Sequence, residues 1–368
     1  MFPYFLSLIK MPFFFSYGWI RSFFVRNNKS GNYPIDFVVT WVDNRDIEWR
    51  RSKDLYVGDY SVSNNGEERY RNWDIFQYWF RSVERYAPWV NKVYLVTCGH
   101  YPAWLNLNHP KLVLVKHSDY MDLNCLPTFN SIPIELNFHR IKDLSEHFVY
   151  FNDDVFLTAD VTPEDFFRNG EPVVCSEARP LINTPVNSPF DHQLFSVIGL
   201  MNKYDWKKCI EKNPQKWFSH RLGLRISHNL DTYRRGYLSG FFYSHLAQGF
   251  RKSTFISVWN TYGECLQECS RHKFRKSRDI NHWIFTLHEI KDGTYYPVSR
   301  YYMGNYYLYL KRDLDKIRRD ILSKQKKMIC INDSQQTKPS DFEYIKNEID
   351  KILKEAFPNK SSFELFSE

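Results

Sequence analysis

From Tyr33 onward, short apolar runs alternate with stretches of helical period, and this alternation restricts the fold more than any other feature of the chain. Residues 35–42 (IDFVVTWV), 92–97 (KVYLVT), 112–116 (LVLVK), 147–151 (HFVYF) and 328–331 (MICI) read as strands. In residues 73–86, Ile75, Phe76, Trp79, Phe80 and Val83 recur at helical spacing, and Pro88 ends the pattern. Helical patterns also occupy 132–144, 191–209, 262–269, 279–288, 310–325 and 341–357. Alternation of this kind predicts an α/β fold with a mainly parallel central sheet flanked by helices. The Lys and Arg residues of 310–325 fit a solvated helix face better than a polyanion site. No internal repeat and no Gly/Ser- or Pro-rich linker divides the chain, whose length allows one large domain or two average ones.

The first thirty residues differ from the rest. They hold two apolar, aromatic runs, Lys10, Arg21, Arg26 and Lys29, and no acid before Asp36. Neither run reaches the roughly 20 residues that span a bilayer, and no small-residue cleavage site follows. Residues 1–30 are therefore expected to be an aromatic, basic arm, lying on an anionic membrane face or packing on the domain. The net charge of +8, from 50 Lys+Arg against 42 Asp+Glu, suits phosphorylated or acidic partners but does not require nucleic acid. The seven cysteines are scattered and complete no zinc pattern, which points to reduced thiols. Aromatic residues make up 18% of the chain; most are expected in the core, although flat rings also stack on sugars and bases.

Three of the strands end in acids: Asp43 and Asp46 after the first, Asn152-Asp153-Asp154 after the central one, and Asn332-Asp333 after the late one. Ligands of open α/β sheets bind outside the carboxyl ends of the strands, so these ends should converge on one crevice. Paired carboxylates with an Asn are hard oxygen donors of the kind that hold Mg²⁺ or Mn²⁺ beside a diphosphate. The competing reading is local: Asp and Asn also form turns, and Asp43 and Asp46 could cap a helix starting near Ile47. No Walker loop, Gly-x-Gly-x-x-Gly, Gly-x-Ser-x-Gly or His-Glu-x-x-His occurs, and no organic cofactor is implied. Farther along, His245 is a candidate proton acceptor, and Arg275, in a run with Asp279, a candidate phosphate clamp. The local alternatives are a structural histidine and a solvated helix face.

Read together, these segments resemble the four blocks of the Stealth family of hexose-1-phosphate transferases. The first block is Ile35-Asp36-Phe37-Val38-Val39-Thr40-Trp41-Val42-Asp43. The second runs from Arg69-Tyr70-Arg71 through Arg81-Ser82-Val83-Glu84-Arg85-Tyr86-Ala87-Pro88-Trp89, Leu126-Pro127-Thr128-Phe129-Asn130, His139-Arg140 and Tyr150-Phe151-Asn152-Asp153-Asp154. The third spans Ser244-His245 to Arg275 and Asp279, with Leu246-Ala247-Gln248 where the family carries prolines. The fourth is Cys330-Ile331-Asn332-Asp333 with Phe357-Pro358 and Ser362-Phe363-Glu364.

The resemblance implies a glycosyltransferase-A-like, Rossmann-like core with helical additions and, because the blocks span almost the whole length, a single catalytic domain over residues 31–368. It also implies a reaction: a hydroxyl of a glycan or lipid-linked saccharide attacks the β-phosphorus of a UDP-hexose, and UMP leaves. The product is a phosphodiester in capsular or cell-surface polysaccharide, made in the cytoplasm at the inner face of a bacterial plasma membrane. On this basis Asp153, Asp154 and Asp333 are expected to bind the cation. His245 is the expected base, Arg275 holds phosphate and Asp279 orients it. Asp43, Asp46, Arg69, Arg71, His139 and Asn332 are expected at the substrates, whereas Asn130 and Glu135 fit structural roles. Two alternatives use the same residues: a metal-dependent glycosyltransferase that moves the sugar alone and releases UDP, and a silent glycan-binding module.

Overall fold

The computed structural model describes residues 2–25, 31–57, 66–179, 189–299, 301–334 and 336–365. Its strands are β1 (Ile35–Thr40), β2 (Val93–Thr97), β3 (Leu112–Lys116), β4 (His147–Asn152), β5 (Val155–Leu157), β6 (Phe167–Arg168), β7 (Glu171–Cys175), β8 (Gln248–Arg251), β9 (Tyr296–Val298), β10 (Gly304–Leu308) and β11 (Met328–Asn332). The central sheet has the order β3-β2-β1-β4-β8. Its first four strands are parallel and β8 is antiparallel to β4. The expected mixed α/β fold with a mainly parallel sheet is present.

Alternation along the strands sorts side chains onto two faces. Val38, Tyr94, Val96, Phe148 and Tyr150 join one core, roofed by helices between 189 and 292. Phe37, Val39, Leu95, Val149 and Phe151 join the other, with helices Phe76–Tyr86, Leu314–Ser323 and Pro339–Ala356. Both faces are covered, so Phe37, Val38 and Val39 of β1 are consecutive buried apolar residues rather than alternating with polar ones.

Two departures from the sequence expectation position the site. The late strand does not enter the central sheet. It lies in a second sheet, β10-β11-β5, where β5 is antiparallel to β11. The turn Asp153–Asp154 joins β4 to β5 and so carries the chain from one sheet to the other. The second departure is β8, whose sequence QGFR has no apolar run. Gly249 lets it pass close to Phe166, whose carbonyl oxygen would lie 2.8 Å from an added Cβ.

Helix boundaries shifted where side chains bond to backbone. The helix expected over 132–144 is Ser131–Leu136, followed by a 3-10 turn at Phe138–Arg140. Asn137 ends it, its amide donating to the Pro133 carbonyl at 2.8 Å. The basic stretch 310–325 forms the helix Leu314–Ser323, which buries Ile317, Asp320 and Ile321 and leaves its Arg and Lys side chains toward solvent.

The N-terminal arm contains a 22-residue helix, Phe2–Phe23. Phe14 and Phe15 pack against Tyr233 and Phe218, and Ser22 bonds to His220 at 2.8 Å. Arg26 and Lys29 lie outside the described residues.

Candidate active site

The strand order reverses direction between β1 and β4, because the chain leaves β1 for β2 on one side and returns from β3 to β4 on the other. A crevice opens at the carboxyl ends of such a pair. Thr40 and Asn152 stand side by side there, and Asp153 and Asp154 follow directly. β11 delivers Asn332 and Asp333 to the same place, its Ile331 amide bonding to the Asp154 carbonyl at 2.9 Å.

His245 reaches this point from the loop before β8. Its Nε2 is met by the carboxamides of Asn332 at 3.0 Å and Asn152 at 3.3 Å, and lies 3.8 Å from Asp154 Oδ2. With the amides donating, Nε2 carries the lone pair, the form in which imidazole accepts a proton. Tyr306 of β10 stands edge-on to the ring at 5.6 Å. Oδ1 of Asp154 is buried and accepts no hydrogen bond. Burial and the neighbouring Asp154 charge push the Asp153 carboxyl up to about 7. A buried carboxylate oxygen without a donor, beside a second carboxyl that resists ionisation, is an arrangement a divalent cation would relieve.

Asp154, His245 and Cys330 bring ligand atoms within 4.8 Å of one another. Burial and Asp154 keep the Cys330 thiol well above its usual range, and a protonated thiol is a poor partner for a hard cation. Of this group Asp154 alone is a hard oxygen donor, and the Asp153 carboxylate is not among the ligand atoms brought together. Asp333, expected as a third ligand, is engaged otherwise. Its Oδ2 accepts from Trp73 Nε1 at 3.0 Å and faces Arg71 Nε at 3.3 Å, and its Oδ1 accepts from the Ser334 amide at 2.7 Å. Burial raises its pKa despite Arg71. Asp333 anchors Arg71 and Trp73.

A second cluster lies behind the first. Glu135 is buried and meets His282 at 2.6 Å and the Tyr150 hydroxyl at 3.2 Å. Burial opposes its ionisation, yet His282 and Arg275 hold it at about 2. Tyr150 also bonds to Asn152 Oδ1 at 2.6 Å, so the two clusters share a hydrogen-bond path to His245. Arg275 bonds to Ser131 at 2.8 Å. Arg69 is brought close, and burial together with the Arg275 charge lowers its pKa to about 10. Two neighbouring guanidiniums held this way suit a multiply charged anion.

The acids after β1 form a third group. Arg45 grips Asp43 with two bonds of 3.0 Å and also pairs with Asp74 at 2.8 Å. Burial would raise the Asp43 pKa, but Arg45 holds it below the usual value. Asp46 does cap the helix Ile47–Val57, accepting from Glu48 and Trp49, and its other oxygen meets His100 at 2.9 Å. Beside it lies a cavity of about 450 Å³ walled by Trp49, Gly99, His100, Pro127 and Phe129. Residues 69–74 run along all three groups: Arg69 to Arg275, Arg71 and Trp73 to Asp333, Asp74 to Arg45.

Two expected residues are not brought to the crevice. Asp279 is fully buried, bonding to His272 at 2.6 Å and to the Lys276 amide at 2.8 Å; it fixes the loop that carries Arg275. His139 sits on the 3-10 turn against Phe255 and Trp259, where burial and Arg140 lower its pKa to about 4. Sequence reasoning omitted Tyr150, Trp73, Asp74, His100 and His282 from the site. Only Tyr150 and His100 carried a signal, each near the carboxyl end of a strand.

Two family models match the chain: "Stealth protein CR2, conserved region 2" over residues 69–174 and "Stealth protein CR4, conserved region 4" over residues 319–368. A capsular polysaccharide phosphotransferase, WcwK of Streptococcus pneumoniae, is 42% identical over 332 residues, covering 90% of this chain and 98% of its own. The receptor polysaccharide phosphotransferase WefC of Streptococcus gordonii is 38% identical, covering 90% and 99%. The exopolysaccharide phosphotransferase cps2G of Lactiplantibacillus plantarum is 35% identical, covering 91% and 97%.

Proposed function

From the premise that the chain belongs to the Stealth family of sugar-phosphate transferases, we propose that it transfers hexose-1-phosphate from a UDP-hexose to a hydroxyl of a glycan acceptor, with release of UMP. The setting is capsular or cell-surface polysaccharide biosynthesis, at the inner face of the plasma membrane. The observation that carries this reading is Asp154 at the point where the strand order reverses, its Oδ1 buried and unsatisfied and its Oδ2 3.8 Å from His245 Nε2.

The acceptor hydroxyl oxygen forms a bond to the β-phosphorus, and the bond from that phosphorus to the bridging oxygen of the diphosphate breaks. The electron pair leaves with UMP, and the hydroxyl proton passes to His245 Nε2 as the Asn152 and Asn332 amides give up its lone pair to the incoming hydroxyl. The bond between the anomeric carbon and its oxygen is untouched, so the anomeric configuration is kept. Asp154, preceded in the chain by Asp153, would hold a divalent cation, which would supply charge neutralisation at the diphosphate. Asn152 and Asn332 hold the imidazole in place. Arg275 and Arg69 hold phosphate oxygens, and the cavity beside Asp46, with its Trp49 and Phe129 walls, accommodates the base.

Incubation with a panel of UDP-hexoses and an acceptor saccharide, followed by identification of the released nucleotide, tests the reading. UMP is expected. Asp154→Asn is expected to lower turnover by about 10²–10³, the loss typical of one preorganised electrostatic group. Release of UDP without UMP would establish sugar transfer instead, and full turnover by Asp154→Asn would remove this centre from the reaction.

A further inference from the structure

The N-terminal helix has two apolar faces, and the domain covers only one of them. Met11, Phe14, Phe15, Gly18 and Ser22 lie within one arc of the helix and pack inward. On the far side Phe13, Tyr17, Ile20 and Phe24 form a stripe at i, i+4, i+7 and i+11, with exposures of 65%, 40%, 53% and 77%. Trp19 and Phe23 extend the stripe on one flank and are also exposed. Lys10 and Arg21 lie on the other flank. Residues 1–35 contain no acid.

A neighbouring loop adjoins the end of the helix, its His220 stacked on Phe23 at 3.9 Å. The 3-10 segment His220–Arg225 is bonded to the helix end, Ser22 meeting His220 and Arg221 donating to the Ser22 carbonyl at 2.9 Å. It presents Leu224, 95% exposed, next to Arg225. Large apolar side chains displayed this openly in a group mark an interaction site.

We infer that this face is a docking surface for an anionic lipid bilayer, in which the helix lies in the plane of the headgroups. Charge complementarity identifies the occupant. Aromatic rings rimmed by Lys and Arg, with no acid among them, match the headgroup level of an anionic membrane. Cores of protein interfaces are instead depleted in charge and specifically in Lys. Among the described residues no helix is long and apolar enough to cross a membrane, so the surface rests on the bilayer rather than spanning it. Because the inner face of the helix is fixed to the domain, binding would hold the whole enzyme at the surface where a lipid-linked acceptor is presented. This docking rests on the proposed membrane-side acceptor.

Flotation of the full chain with vesicles tests it. Binding to vesicles of phosphatidylcholine and phosphatidylglycerol is expected, with little binding to phosphatidylcholine alone. The triple variant Tyr17→Ser, Ile20→Ser, Phe24→Ser is expected to stay with the unbound protein. Replacing Lys10 and Arg21 by Gln should weaken binding about fivefold for each charge. Failure of the wild type to float with anionic vesicles, or flotation of the triple variant like the wild type, would overturn the inference. So would a self-association that the triple variant abolishes, since the face would then be covered by a second copy of the chain. Turnover of a soluble saccharide acceptor by the same variants should equal the wild type. Flotation with no transfer by any form would reject the phosphotransfer reading and leave the docking surface standing.

Discussion

At Glu289 the fold buries a carboxyl with one oxygen served and the other not. Oε1 meets Arg251 at 3.2 Å and Thr254 at 2.5 Å, while Oε2 has no partner. Burial outweighs the help from Arg251 and pushes the group up to about 7, from an ordinary 4.5. Between these values the native state holds a proton that the unfolded chain releases, so stability falls as pH rises through that window and levels off above it. Glu289→Gln is expected to remove up to about 1.4 kcal/mol per pH unit of this slope. Urea unfolding of both forms from acid to neutral pH measures it, and identical slopes would refute the assignment. Residues of this kind are hard to read from a sequence. Asp153 and Asp154 were legible because acids following an apolar run mark a strand end. Glu135, Tyr150 and Trp73 owe their roles to partners far along the chain, and so do the contacts of Asp333 with Arg71 and Trp73.

At the scale of elements, the carboxyl end of the chain straps the helix Phe76–Tyr86 in place. Arg81 holds Glu364 through two bonds of 2.8 and 2.7 Å and donates to the Phe357 carbonyl at 2.9 Å. Burial opposes ionisation of Glu364, but Arg81 keeps its pKa below the usual value. The strap continues as Leu365 bonds to Trp104 and Asn106 to Phe363. Arg81→Ala leaves the Glu364 charge buried without its partner and is expected to cost about 3–5 kcal/mol of unfolding free energy. Arg81→Lys should restore only part, since an ammonium cannot make the paired contact. Denaturant unfolding decides this, and a change within experimental error for Arg81→Ala would show that the strap contributes nothing. The helix and the late residues each carried recognisable sequence blocks, but their pairing did not. The same holds for the β4–β5 turn: the acids were visible, whereas the exit from one sheet into another was hidden by the shortness of β5 and the weak pattern of β10.

For the molecule as a whole, the N-terminal helix is held by close approach. An added Cβ at Gly18 would collide with the Pro214 carbonyl, so only glycine allows this seating. Gly18→Leu is expected to lift the helix from the domain and accelerate tryptic cleavage at Arg21 several-fold, with turnover of a soluble acceptor unchanged. An unaltered digestion rate would mean that the helix is not held there. The docked helix, the core clusters and the three sheets meet in one structure whose parts differ in how far the sequence alone reveals them. Order and periodicity determined what is local: β1, β2, β3, β4 and β11, several helices, the acids at strand ends and the solvated face of the helix Leu314–Ser323. Side-chain spacing sets which face and which end of an element a residue occupies, and spacing is written in the chain. Tertiary structure alone decided that β11 lies outside the central sheet, that His245 and not His139 reaches the acids, and that Asp333 and Asp279 serve as anchors. These outcomes depend on backbone pairing and on competition for hydrogen bonds between segments up to hundreds of residues apart, and no local pattern encodes which donor arrives first.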